Sequence, residues 1–144
     1  MLQVYSNGID ITVPENGVAF IPFNNLSKDK GRDSNLVAPG TIQIQRQGVY
    51  DVRVNGSVTS SVEGDFIFQV YVNGVAQPET LTRLSLVEDA YDTFSFEDLV
   101  TVALGNSCCC YSSPTTLQVG VYSDGDVTGD LTFANISELV TRLC

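Results

Sequence analysis

The thiols are the most reactive groups in this sequence. Cys108, Cys109 and Cys110 stand in a row, and Cys144 lies far downstream. Adjacent cysteines bond to each other only with strain, so a disulfide would need a partner elsewhere. Three cysteines in a row also lack the spacer of about two to four residues usual between zinc ligands. Cross-linked cysteines and free thiols, some buried as small hydrophobes, are both open readings. A nucleophilic cysteine needs a base, and the chain has no histidine.

The carboxylates are the other candidates. Glu88-Asp89 with Asp92, and Glu97-Asp98, are close enough in sequence to pair as acid and base in glycoside hydrolysis. No neighbouring residue type would raise the pKa of one member, so they read as solvated loop and strand-edge charges. Asp124-Gly125-Asp126, with Asp130 nearby, offers oxygens to calcium but lacks the carbonyl and bidentate spacing of an EF-hand loop. It reads as a hairpin turn. Nothing here builds an enzyme, and no cofactor or metal is implied.

Composition narrows the class further. In 144 residues, 17 acids against 7 bases give a formal charge of −10. A nucleic-acid groove needs clustered Lys and Arg, and so does an anionic membrane surface. The one basic cluster, Lys28, Lys30 and Arg32 around Gly31, falls in a polar stretch, 27–35, expected to be a surface loop. No apolar run reaches the length of a membrane-spanning helix, and no segment reads as a signal peptide. Three sequons, at Asn25, Asn55 and Asn135, read as chance matches. The expectation is one domain over 1–144, with 1–16 either an attachment arm or a first strand.

The elements that must position these groups are strands. Apolar residues alternate in Tyr50, Val52 and Val54, in Phe66, Phe68, Val70 and Val72, in Leu117, Val119 and Val121, and in Leu131 and Phe133. Period-two alternation puts such residues on one face of a strand. Asn73-Gly74 is a strong hairpin signal, because both central residues of a type I′ turn need positive φ. Val37-Ala38-Pro39-Gly40 and Ser112-Ser113-Pro114 also read as turns. Strands are expected near 2–5, 10–13, 17–22, 41–46, 48–60, 65–72, 75–83, 92–104, 115–123 and 127–142. Such a series of short strands makes an all-β sandwich or barrel. Phe66, Phe68, Phe94, Phe96 and Phe133 should form its core. Ile67 and Tyr71 point away from that face, which suggests a second apolar face for a partner copy to cover.

The wording of the strands also resembles a known family. Gly48-Val49-Tyr50-Asp51-Val52-Arg53-Val54 is similar to a central strand of the jelly roll shared by tumour necrosis factor and the complement globular head. Phe68-Gln69-Val70-Tyr71-Val72-Asn73-Gly74-Val75-Ala76 resembles its next hairpin. Leu117 to Gly125 resembles its penultimate strand and turn, and Leu131 to Ile136 its closing strand. Capsid-attached proteins of phages and prophages, and spore-surface collagen-like glycoproteins of bacteria, carry similar domains. The collagen-like stalk of the latter is missing here.

This resemblance implies a jelly-roll β-sandwich of about ten strands with no significant helix. It implies a homotrimer that works by binding or display. The strand before Cys108 and the last strand would then run the same way in one sheet. That would bring Cys108, Cys109 and Cys110 near Cys144 of the same or a neighbouring chain. Tyr5, Tyr71, Tyr91, Tyr111 and Tyr122 become candidates for a trimer interface or a ligand surface, since Tyr serves where one end is dry and the other wet. The expected role is a virion structural protein, a capsid decoration or head fibre made in the host cytoplasm and released by lysis. Its partners would be further copies of itself and the major capsid or another virion protein. The alternative is a receptor- or glycan-binding tip on a phage tail or on a cell or spore surface.

Overall fold

A computed structural model describes residues 1–29, 33–102, 115–125 and 128–143. Among them are twelve strands: β1 (Leu2–Val13), β2 (Val18–Phe20), β3 (Asn25–Asp29), β4 (Ser34–Ala38), β5 (Thr41–Ile44), β6 (Gly48–Ser60), β7 (Gly64–Val72), β8 (Val75–Ala76), β9 (Thr82–Leu86), β10 (Asp92–Val102), β11 (Thr115–Ser123) and β12 (Gly129–Arg142). One 3₁₀ turn, Pro78–Thr80, is the only helical element among the described residues. The first sheet has the order β10-β6-β12-β1-β3. The second runs β4-β5-β11-β7-β8, with β2 also on β11 and β9 also on β7. All of these ladders are antiparallel. The chain is an all-β jelly-roll sandwich, as expected.

The core lies between the sheets and follows the alternation. Tyr50, Val52, Val54 and Val58 of β6 are fully buried, and so are Phe66, Phe68 and Val70 of β7. Aromatic rings join the two sheets: Phe68 stacks on Phe94 at 5.1 Å and lies 6.0 Å from Phe96, and Phe94 meets Phe133 edge-on at 6.2 Å. Asn73 and Gly74 have φ of 52° and 77°, the backbone of the expected type I′ turn between β7 and β8.

Several boundaries differ from the sequence expectation. The expected loop 27–35 contains the end of β3 and the start of β4. Every residue of β3 is exposed, so no buried face marks it as a strand; main-chain pairing with β1 makes it one. The turn expected at 37–40 is shorter, because Val37 and Ala38 belong to β4. Gly40 takes φ 74°, and a Cβ there would lie 2.1 Å from the Ile21 carbonyl oxygen. The expected strand 75–83 breaks at Pro78, which has no N–H to donate. Thr80 repairs the break. Its hydroxyl accepts from the Val70 N–H (2.9 Å) and donates to the Gln77 carbonyl (2.7 Å). The two expected strands near the start are one, β1, paired on both sides with β12 and β3.

Candidate functional site

The candidate residues from the sequence divide sharply. Cys108, Cys109, Cys110, Cys144 and Tyr111 lie outside the described residues. The strands leading to the cysteines do obey the expected topology. β10 and β12 both run antiparallel to β6. Val102 pairs with Gly48 and Arg142 with Tyr50, so both strands finish at the same end of the first sheet.

Tyr5 sits on β1, half-buried, in register with Asn25 and Ser137. Tyr91 precedes β10 and is 59% exposed. Tyr71 and Tyr122 come together on the outer face of the second sheet. β7 pairs with β11 so that Tyr122 is opposite Ile67 and Tyr71 opposite Gln118. β2 extends the same sheet, with Phe20 opposite Gly120 and Val18 opposite Tyr122. A Cβ at Gly120 would lie 2.5 Å from the Tyr71 ring and 2.8 Å from Val18 Cγ1. The missing side chain is therefore the slot in which the Tyr71 ring lies. Phe20 meets that ring edge-on at 5.2 Å and 84°.

This arrangement corrects one expectation. Ile67 and Tyr71 do point away from the sandwich core, but the chain itself covers them. They are only 3% and 7% exposed. No partner copy is needed to bury that face.

Beside the aromatic floor is a cleft of about 380 Å³, lined by Asn16, Gly17, Val18, Tyr71, Tyr122 and Ser123. Its far wall is the turn 14–17, closed by the Gly17 N–H donating to the Pro14 carbonyl at 3.3 Å, with Asn16 at φ 55°. Burial, and the neighbouring Tyr122, hold the Tyr71 phenol above its ordinary pKa, so it stays a neutral donor and acceptor. Among the described residues no charged side chain lines the cleft. Next to Ser123 in the chain, Asp124 pairs with Arg83, which also bonds Asp65, so these three groups carry one net negative charge. The Ser85 hydroxyl, then the Arg83 guanidinium, hold Asp65 below its usual carboxylate range.

Asp126 lies outside the described residues; among those described, the acidic candidates form no cluster. Glu97 and Asp98 are neighbours on β10 and therefore face opposite ways. Glu97 pairs with Arg53 on the outer face (3.4 Å), whereas Asp98 turns inward. Burial, then Glu79, push the Asp98 carboxyl up to about 6. Reading Asp98 as a solvated charge was therefore wrong, but the pair cannot flank one substrate. Asp124 is held by Arg83, and Asp130 accepts from the Thr12 hydroxyl at 2.8 Å. Among the described residues no group of acidic side chains could hold a metal ion.

One residue escaped the sequence reading altogether. Glu138 of β12 lies between Val4 of β1 and Val54 of β6 and is completely buried. Neither of its carboxyl oxygens has a hydrogen-bond partner. Burial alone pushes its pKa up to about 8, so it is a neutral acid within the core at pH 7. The alternation Ile136, Glu138, Val140 was the available signal, overridden by the rule that charges face water.

The two sheets, their strand order and the hairpin turns define the class: a jelly roll of the tumour-necrosis-factor type. Solved structures agree. The globular domain of zebrafish complement 1qA protein superposes with a TM-score of 0.56 and 12% identity, over 99% of this chain and 96% of that one. Vertex protein P5 of phage PRD1 gives 0.54 and 12%, over 95% and 93%. Murine APRIL gives 0.54 and 14%, over 91% and 98%. No protein-family model and no curated protein matches the sequence.

Proposed function

We propose that this chain is a non-enzymatic structural protein of a phage virion, a homotrimeric capsid decoration or head fibre displayed on the particle surface. The observation that carries this reading is the likeness to the PRD1 vertex protein over nearly the whole of both chains. The surface is compatible with it. Exposed Tyr91 and Leu99 lie just before and on β10, an edge strand of the first sheet, where association of copies would bury them. The acidic excess keeps such a trimer soluble and discourages adhesion to nucleic acid. Among the described residues no helix is long and apolar enough to cross a membrane. The attachment partner would be the major capsid protein or another virion protein.

The test has two parts. Mass photometry of the purified protein should show a species of three times the 15.5 kDa chain mass. In a density gradient of phage lysate the chain should band with particles. A monomer that stays with the free lysate proteins overturns the proposal. Deleting residues 1–16 is a poor probe of attachment, because β1 is an interior strand of its sheet.

A second reading has its own support. The Tyr71–Tyr122 cleft favours a receptor- or glycan-binding tip on a phage tail or on a cell or spore surface. An array of surface glycans probed with the full chain separates this from pure display.

A further inference from the structure

We infer that the cleft between the turn 14–17 and the Tyr71–Tyr122 face binds one neutral sugar ring of a surface glycan. The inference rests on the tip reading and gives it a place and a ligand class.

Three features of the cleft select that chemistry. The first is its floor. Tyr71 fills the slot over Gly120 with Phe20 edge-on to it and is only 7% exposed, so it fixes the floor from below, and the accessible aromatic surface is that of the half-buried Tyr122. A sugar ring has one face of C–H groups that packs on such a surface, and a floor already in place costs no ordering on binding.

The second is the rim. Asn16 and Ser123 supply an amide and a hydroxyl, and each tyrosine supplies a phenol. Among the described residues no hydrogen bond to protein occupies the Asn16 amide, the Ser123 hydroxyl or either phenol. Each can donate or accept, which matches sugar hydroxyls that do both. A cleft of about 380 Å³ with an aromatic side and a few convergent polar groups falls in the size range of small-ligand sites.

The third is charge. Among the described residues the lining has no cation to hold a carboxylate or sulfate and no anion to hold a cationic ligand. The chain's charge of −10 further disfavours anionic sugars.

Saturation-transfer NMR on the full chain tests this. The probes are glucose, galactose, mannose and N-acetylglucosamine, with glucuronate and N-acetylneuraminic acid as anionic comparisons and indole as an apolar one. At least one neutral sugar should receive transfer, and more than either anionic sugar. Asn16→Gly keeps the positive φ, and Tyr122→Ala removes part of the floor. Each should weaken that sugar at least about tenfold, which corresponds to about 1.4 kcal/mol, with an unchanged melting temperature for Asn16→Gly. If sugars bind but neither variant weakens them, this cleft is not the site, while the tip reading stands. If anionic sugars bind better, or indole binds and no sugar does, the ligand class is wrong. If no sugar binds and the glycan array is also blank, both the inference and the tip reading fail.

Discussion

The ring of Tyr71 occupies the space that a side chain at Gly120 would need, 2.5 Å from an added Cβ. This one relationship ties β7 to β11 on the outer face and sets the floor of the cleft. Gly120→Ala must push the ring aside or bow the sheet. Such overpacking costs about 1–3 kcal/mol. Urea unfolding of Gly120→Ala should show that loss, and in a Tyr71→Ala background, itself destabilised by the lost ring, adding Gly120→Ala should cost much less. Equal stability of Gly120→Ala and the parent would contradict the wedge.

Glu138 predicts an unusual pH dependence. Its carboxyl titrates near 4.5 in the unfolded chain and at about 8 in the fold. Between these values the unfolded chain has released a proton that the folded chain retains. Stability therefore falls as pH rises through that window and levels off above it. Asp98, raised to about 6, acts with the same sign over a lower window. Asp65 is lowered, so its contribution has the opposite sign: present above the ordinary carboxylate range and lost as pH falls through its own value. Urea midpoints at pH 6, 7 and 8 should decline steadily, and Glu138→Gln should flatten that decline. A parent protein whose midpoint rises over this range would refute the assignment.

Phe68 is the fully buried member of the ring cluster on the second sheet, packed on both Phe94 and Phe96 across the sandwich. Phe68→Ala leaves a cavity between the sheets and should cost about 3–5 kcal/mol. Phe20→Ala, on a ring already 40% exposed, should cost much less. Thermal unfolding of the two variants side by side checks the ranking.

The cysteines give a prediction from topology. β10 and β12 end at the same end of the first sheet, one to either side of β6. We expect Cys144 to pair with one of Cys108, Cys109 and Cys110 in air-oxidised protein. Thiol titration of the denatured, unreduced chain should then find two thiols instead of the four in the sequence. Four titratable thiols would show that no bond forms.

Where one strand face is buried and the other wet, the fold could be read directly, as in β6 with Tyr50, Val52 and Val54. The Asn73-Gly74 turn was equally plain, because its backbone demands those residue types. β3 was hidden because it has no buried face; only its partner β1 makes it a strand. For the cleft, Tyr71 and Tyr122 could each be assigned to an outer face by counting. That they share one cleft depends on the register of β7 against β11 and on β2 joining from the far side, and neither is written in local pattern. Gly120, set among alternating apolar residues, did hint at a close approach. Glu138 was legible by period and illegible by chemistry, since an unpartnered carboxyl in a core contradicts the usual cost of burial.

The pairing of Leu2 with Val140 has a consequence for how the protein is made. β1 leaves the ribosome well before β12, with which it makes its longest ladder. Loop closure over so much chain is entropically costly and slow, so folding of the first sheet waits until β12 has been made. Until then Leu2, Val4 and Val13 have no core to enter. Newly synthesised chains pass through a period in which one edge of β1 and its apolar face are open to any neighbour, and a cell making many copies must hold that window short.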